Sequence, residues 1–291
     1  MTFANIENWP LLEHPVLVIG LDGWIDAGFV GQLAVNNLTE APYDLVASFD
    51  MDTLIDNRSR RPVLRLVNGV MDRLVWPDLR LLLSRQPDAS RSVLVLVGPE
   101  PDYHWKAWTE EVVALAQRMG VEMVVGLGAF PAPVPHTRPI RVAATATDQE
   151  LASKIGFLPA ALEVPAGAQA VLEMAFGEAG IPAVGLWARV PHYASGTSFP
   201  EAAAVLTDEL SKLIGVHIDS AALHETGRVG LQEIQAMIDN SPEHLAMVRQ
   251  LEEQHDAQAG VITGEITRIP SGDELAEELE KFLRGEGRPP A

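Results

Sequence analysis

Residues 122–139 read EMVVGLGAFPAPVPHTRP, and the fold turns on them. Met123, Val124 and Val125 are the apolar, β-branched start of a strand buried on both faces, as in a parallel sheet covered by helices. Gly126-Leu127-Gly128 follows, and then come Pro131, Pro133, Pro135 and Pro139, which cannot continue a central strand. His136, Thr137 and Arg138 stand at the exit. Ligands of open α/β sheets bind beyond the carboxyl ends of the strands. A stiff loop carrying a titratable ring, a hydroxyl and a cation is therefore a candidate site. The same loop reads equally well as a proline-stiffened connection whose polar groups cap neighbouring backbone.

Outward from that stretch, Val16–Gly20, Tyr43–Phe49, Val93–Val97 and Ala183–Trp187 read as further strands. Helices are expected at Ala27–Leu38 with Asp26 as N-cap, and at Trp105–Met119, Asp148–Lys154, Ala168–Ala179 and Pro200–Ile214. Val63 to Trp76 holds two apolar runs split by Asn68-Gly69, a strong hairpin signal. This antiparallel excursion makes the sheet mixed. Shorter strands are expected at Leu79–Leu83 and Ile140–Val142. From Asp219 onward only helices follow, with a stripe of Leu245, Val248 and Leu251 after Ser241-Pro242 and a capping box at Ser271–Glu274. The expected organisation is an α/β core over 1–218, a helical extension over 219–285, with a link at Gly260–Pro270, and a flexible tail over 286–291.

A chain of 291 residues buries enough surface to need no staples, and with no cysteine it has no disulfide, thiolate nucleophile or Cys-based zinc or iron–sulfur site. Its net charge of −19 repels phosphate backbones, so nucleic acid is not an expected partner. The one basic cluster, Arg58, Arg60, Arg61, Arg65 and Arg73, is too small and too close to acids for such a footprint. The start lacks a signal peptide's pattern and no apolar run reaches the length of a membrane span. The expected location is the cytoplasm.

Several expected strand exits carry polar groups: Asp22 and Asp26, Glu100 and Asp102, His136 to Arg138, Glu163, and His192. If the strands are parallel, these converge on one edge. Carboxylates there also serve as helix caps, the simpler reading for Asp26 and Asp102. Glu100, held between Pro99 and Pro101 near Trp105 and Trp108, is the acid with most catalytic promise, with His136 and His192 as partners in proton transfer. Asp22, Asp26, Glu100, Thr137, Arg138, Glu163 and Gly167 are the candidate ligand-binding residues. The dinucleotide, P-loop and nucleophile-elbow patterns are missing. The eight histidines never fall four apart, so no metal site and no cofactor is expected.

The ordered set Gly98-Pro99-Glu100-Pro101, Trp105, Leu127-Gly128-Ala129, Val134 to Pro139, Leu186-Trp187-Ala188 and Val190 to Tyr193 resembles the proteasome assembly chaperone 2 family. Asp22-Gly23-Trp24, Asp26-Ala27-Gly28, Arg60-Arg61-Pro62 and a closing helix over Asp273 to Arg284 resemble its actinobacterial branch. The resemblance implies a three-layer αβα core like that of nucleoside phosphorylases, a small C-terminal helical extension, and homo-oligomerisation, with a trimer as the subunit count. It also implies proteasome subunits as partners, since eukaryotic and archaeal relatives help assemble proteasome cores. The ATP-grasp label given to some bacterial members finds no signature here.

Three departures qualify that picture. After Glu163 the family usually reads Gly-Pro-Thr-Gly, where this chain has Val164-Pro165-Ala166-Gly167. A usual proline-lysine pair is replaced by Pro200-Glu201. Arg288-Pro-Pro-Ala lacks the hydrophobic-tyrosine ending that docks some assembly factors into proteasome pockets. Two functions are therefore carried forward. The favoured one is a chaperone-like protein acting through protein–protein contacts; the alternative is an enzyme or a binder of nucleotides or acidic metabolites at the strand exits.

Overall fold

The computed structural model describes residues 2–259 except 24, 88, 157–160 and 162. Ten strands and eight helices alternate along it: β1 (Ala4–Ile6), β2 (Val16–Asp22), α1 (Val30–Glu40), β3 (Tyr43–Phe49), α2 (Met51–Leu54), β4 (Val63–Val67), β5 (Val70–Val75), β6 (Arg80–Ser84), β7 (Val93–Pro99), α3 (Trp105–Arg118), β8 (Met123–Ala132), β9 (Val142–Ala146), α4 (Gln149–Ile155), α5 (Ala168–Glu178), β10 (Ala183–Pro191), α6 (Pro200–Ile214), α7 (Ala221–Asp239) and α8 (Pro242–Ala259). The rest of the expected extension from residue 260 onward, including the helix over Asp273 to Arg284, lies outside the described residues.

Eight strands form one sheet in the order β1-β3-β6-β7-β2-β8-β10-β9. Its centre, β7-β2-β8-β10, is parallel, while β1, β6 and β9 run against their neighbours. This is a mixed, mainly parallel α/β sheet. The chain steps outward from β2 to one edge, returns through β6 and β7, and then crosses to β8 on the other side of β2. That reversal leaves a crevice above the carboxyl ends of β2 and β8.

Alternation along β2 explains the three layers. Val16 and Val18 face α1 and α6, packing with Ala34, Val35, Leu206 and Leu210. Leu17 and Ile19 face α3 and α5, packing with Trp108, Val112, Leu172 and Phe176. Both faces are apolar because both are covered, and each buried Val, Leu or Phe is worth about 1.5–3 kcal/mol. Ile218, Ile234, Ile238 and Val248 belong to the same core as the α1–α6 face, so α7 and α8 extend that layer.

Four sequence expectations need correction. The hairpin is real, but β4 and β5 form a sheet of their own. What makes the main sheet mixed is β1, β6 and β9. Pro62 and Pro77 bracket the hairpin, and proline has no N–H with which to carry a ladder onward. Pro131 lies inside β8. The ladder to β2 stops at Ile19↔Gly126 and leaves only an isolated bridge at Asp26↔Ala129, so a missing N–H is tolerated at that edge. β10 runs through Pro191, in register with β8 to Pro191↔Ala132. The strand expected at Ile140–Val142 instead occupies Val142–Ala146, antiparallel to β10.

Candidate functional site

The strand-exit edge holds two separate clusters of polar side chains. The first fills the crevice between β2 and β8. After β2 a 3-10 turn, Ala27–Phe29, precedes α1, and its Gly28 and Phe29 have positive φ of 67° and 56°. That turn lets Asp26 reach past it: Oδ1 accepts from Gly31 N at 2.7 Å and Oδ2 from Gln32 N at 3.0 Å. Asp26 thus caps α1 from an unusual position, and Gly31 must be small because a Cβ there would lie 3.1 Å from Leu127 O. Burial raises the Asp26 pKa above the usual carboxylate range, against the lowering by its backbone hydrogen bonds.

Glu100 Oε2 accepts from Ala168 N at 2.9 Å, capping α5, whose own N-cap is the side-chain-free Gly167. The expected aromatic wall for Glu100 is absent in part. Trp108 is fully buried in the core against Phe49, and Trp105 donates to Pro101 O at 2.5 Å. Asp22 is exposed; its carbonyl accepts from Glu100 N at 2.9 Å and Arg60 Nη1 at 3.1 Å. Glu163 is exposed on the loop before α5 and does not line the crevice.

Three residues that sequence reading passed over complete this cluster. Glu173 and Gln169 lie one turn apart on the sheet-facing side of α5, Gln169 Nε2 donating to Glu173 Oε1 at 3.0 Å. Glu173 is 7% exposed, and burial pushes its pKa up to about 7. Gly126 and Gly185 leave room for it, since a Cβ on Gly126 would collide with its carboxyl. Trp187 lies over Gly128 and donates Nε1–H to Thr145 Oγ1 at 3.0 Å. The sequence signal was present: Gln169, Leu172, Glu173 and Phe176 share one helical face, so a carboxyl was bound for the core. The cavity between Asp26, Glu100, Gly167, Gln169, Leu127 and Trp187 is about 40 Å³, room for about three waters. Among the described residues its lining contains no Lys or Arg.

The second cluster holds the histidines. His136 is 6% exposed. Tyr193 Oη accepts from His136 N at 2.9 Å and lies 2.8 Å from Nδ1, while Nε2 is 3.0 Å from Gln235 Oε1. The hydroxyl has one proton to give, so Nδ1 accepts it and Nε2–H donates to Gln235. Gln235 passes the chain on to Asp239 at 2.8 Å. Burial lowers the His136 pKa and pushes that of Tyr193 up to about 12, which suits a neutral network. His192 also meets Tyr193 edge-on, ring centroids 5.3 Å apart. Thr137 donates to Glu252, and Arg138 holds Asp256 with two hydrogen bonds and Glu252 with a third at 3.2 Å.

Glu100 therefore does not share a cavity with His136, Arg138 or His192. The structure brings Asp26, Glu100 and Gly167 together at the crevice. It gathers His136, Thr137, Arg138 and His192 instead around Tyr193 and the C-terminal helices. The proton-transfer set expected from the sequence is split in two. Among the described residues no group of three or more acidic, histidine or cysteine side chains is placed to hold a metal, and no helix is long and apolar enough to cross a membrane.

The model of the PAC2 family matches residues 20–238, most of the chain and all of both clusters up to α7. The chain belongs to the PAC2 family. A comparison with curated proteins gave no match. Solved PAC2-type structures agree in fold. Rv2714 of Mycobacterium tuberculosis, a protein of unknown function, is 35% identical with a TM-score of 0.83, over 89% of this chain and 90% of that one. Rv2125 of the same organism, described as a proteasome-assembly chaperone homologue, is 33% identical with a TM-score of 0.74, over 80% and 99%. PbaB of Pyrococcus furiosus, an archaeal proteasome activator, is 18% identical with a TM-score of 0.64, a likeness of fold alone. The mycobacterial likenesses agree with an actinobacterial PAC2 branch.

Proposed function

We propose that this PAC2 protein is a proteasome-assembly factor that works through protein–protein contacts, with proteasome subunits as its partners. The observation that carries the reading is its 33% identity, over 80% of the chain, with a mycobacterial proteasome-assembly chaperone homologue. The exit loop supports it. His136, Thr137 and Arg138, the groups best suited to substrate, are spent on holding α7 and α8. The test uses purified α and β proteasome subunits from the same source, mixed with and without the protein and followed on native gels. An assembly factor speeds formation of the core particle and appears in a complex with one subunit type. Unchanged rates and no complex at stoichiometric amounts refute the reading.

A second reading has one observation in its favour: the carboxyl groups of Asp26 and Glu100 line a small cavity with Trp187 as its aromatic wall. Such a site suits a small cationic or hydrogen-bond-donating group. It suits neither a nucleotide nor an acidic metabolite, because its lining brings negative charge and little space. Thermal shift with simple amines against nucleotides and dicarboxylates separates the two, since a ligand of the native state raises the melting temperature with concentration.

A further inference from the structure

Side chains along β10 alternate between the two faces of the sheet. Val184, Leu186, Ala188 and Val190 pack into the layer of α1 and α6, so Trp187 and Arg189 stand on the α5 face. β9 pairs antiparallel with β10 as far as Ala188↔Val142. One step further, Arg189 N donates to Arg141 O at 3.1 Å, which sets the two arginines opposite each other. Across its other side Arg189 is in register with Phe130 of β8.

Like charges facing each other on a ladder repel, and a guanidinium does not escape by giving up its proton. Acidic residues outnumber Lys and Arg 40 to 21, so carboxylates are not scarce. Arg65, Arg85, Arg91 and Arg138 each hold one. Among the described residues Arg141 and Arg189 hold none. Arg189 is half-buried, and its Nε is shut off from water with no hydrogen-bond partner. A charged donor left in that state is costly. Burial, and then the charge of Arg141, lowers the Arg189 pKa. Glu173 lies by Gly185, four residues or about 13 Å back along the strand. Arg141 is exposed, so this corner is open to solutes.

We propose that Arg141 and Arg189 form an anion site that takes a phosphate group, as inorganic phosphate or a small phosphate ester. An oxyanion between the two forks replaces their repulsion with charge-assisted hydrogen bonds, and it gives Arg189 Nε the acceptor it lacks. One carboxylate satisfies one fork. A phosphate dianion has oxygens and charge enough for both. Both side chains spring from paired strands, so their bases are placed before the ligand arrives. Phe130 across the sheet and Trp187 along the strand offer apolar surface to the organic part of an ester. Trp187 also lines the crevice, whose acids suit cations, so the two sites select opposite charges.

This inference is independent of the proteasome and crevice readings and fails separately from them. Inorganic phosphate and phenyl phosphate are titrated at constant ionic strength, with binding followed by phosphorus NMR line width and by thermal shift. The proteins are the wild type, R141Q, R189Q and a control, R228Q, whose exposed arginine pairs with Glu225. Wild type and R228Q are expected to broaden the signal and to gain melting temperature with concentration. R141Q and R189Q are each expected to bind about tenfold more weakly, the worth of one charge-assisted contact. Arg141 is exposed on an edge strand, so R141Q keeps the test open where R189Q fails to fold. Tighter binding of phenyl phosphate assigns the site to an ester, and equal binding assigns it to the free anion. No response of the wild type at millimolar phosphate, or the same response in all four proteins, overturns the proposal.

Discussion

Arg138 and Asp256 are 118 positions apart in sequence and are joined by two parallel hydrogen bonds, Nε to Oδ1 at 2.8 Å and Nη2 to Oδ2 at 2.7 Å. The planar guanidinium matches the carboxylate fork for fork, a geometry that lysine cannot reproduce. The loop after β8 is by this bond a clasp on α8.

Releasing the clasp loosens α8 without unfolding the sheet. In R138A, or with Asp256→Asn, amide exchange in residues 242–256 rises severalfold while β2 and β7 stay protected. Arg138 holds the Asp256 pKa down to about 2. A depressed carboxyl stabilises above its unfolded value near 3.9 and loses that contribution as pH falls through the folded value. Protection of α8 is thus expected to be flat from pH 8 to about 5 and to decay between about 4 and 2.

Glu173 works in the opposite direction. Its pKa of about 7 lies above the unfolded value, so the protonated form stabilises the fold. That contribution is full below about pH 4 and is lost as pH rises through 7. Ionising Glu173 inside the fold costs on the order of 3 kcal/mol at pH 8. Glu173→Gln is expected to remove this slope, so the variant exceeds wild type in urea-unfolding free energy at pH 8 and matches it near pH 4.

Gly126 leaves the space that Glu173 occupies. G126A drives a methyl group into the carboxyl and costs about 1–3 kcal/mol, the range for overpacking. Combining it with Glu173→Ala costs less than the two single changes added, because the second removes the nearer of the two side chains that the first strikes, the other being Gln169. Strict additivity in urea melts refutes the contact.

Glu100 caps α5 at Ala168 N. Glu100→Ala is expected to cost about 1 kcal/mol, as for lost N-caps, and Glu100→Gln less because an amide oxygen still accepts. A loss no larger than that of exposed-site alanine controls refutes the capping role.

The parallel strands were legible because burial on both faces writes an unbroken apolar run, as in Val16–Ile19 and Val93–Leu96. β1 was not, since three residues paired only to Phe49, Ser48 and Ala47 leave no period to read. Gathering the polar exits on one edge followed from parallel strands. Dividing them did not, because the partners of Arg138 and His136 lie 99 to 118 residues away on α7 and α8. Glu173 shares the buried face of its helix with Leu172 and Phe176, but the room for its carboxyl is made by Gly126 and Gly185, which come from two other elements.

Because prolines bracket β4–β5 and the main sheet does not pair with it, residues 63–75 can be rewritten with no core side chain repacking. In a lineage, new associations could arise by drift in one short segment while the scaffold is conserved. For an engineer the same segment is a graft point for a foreign epitope or tag. Its exposed apolar residues are also the first place to mutate if the recombinant protein precipitates.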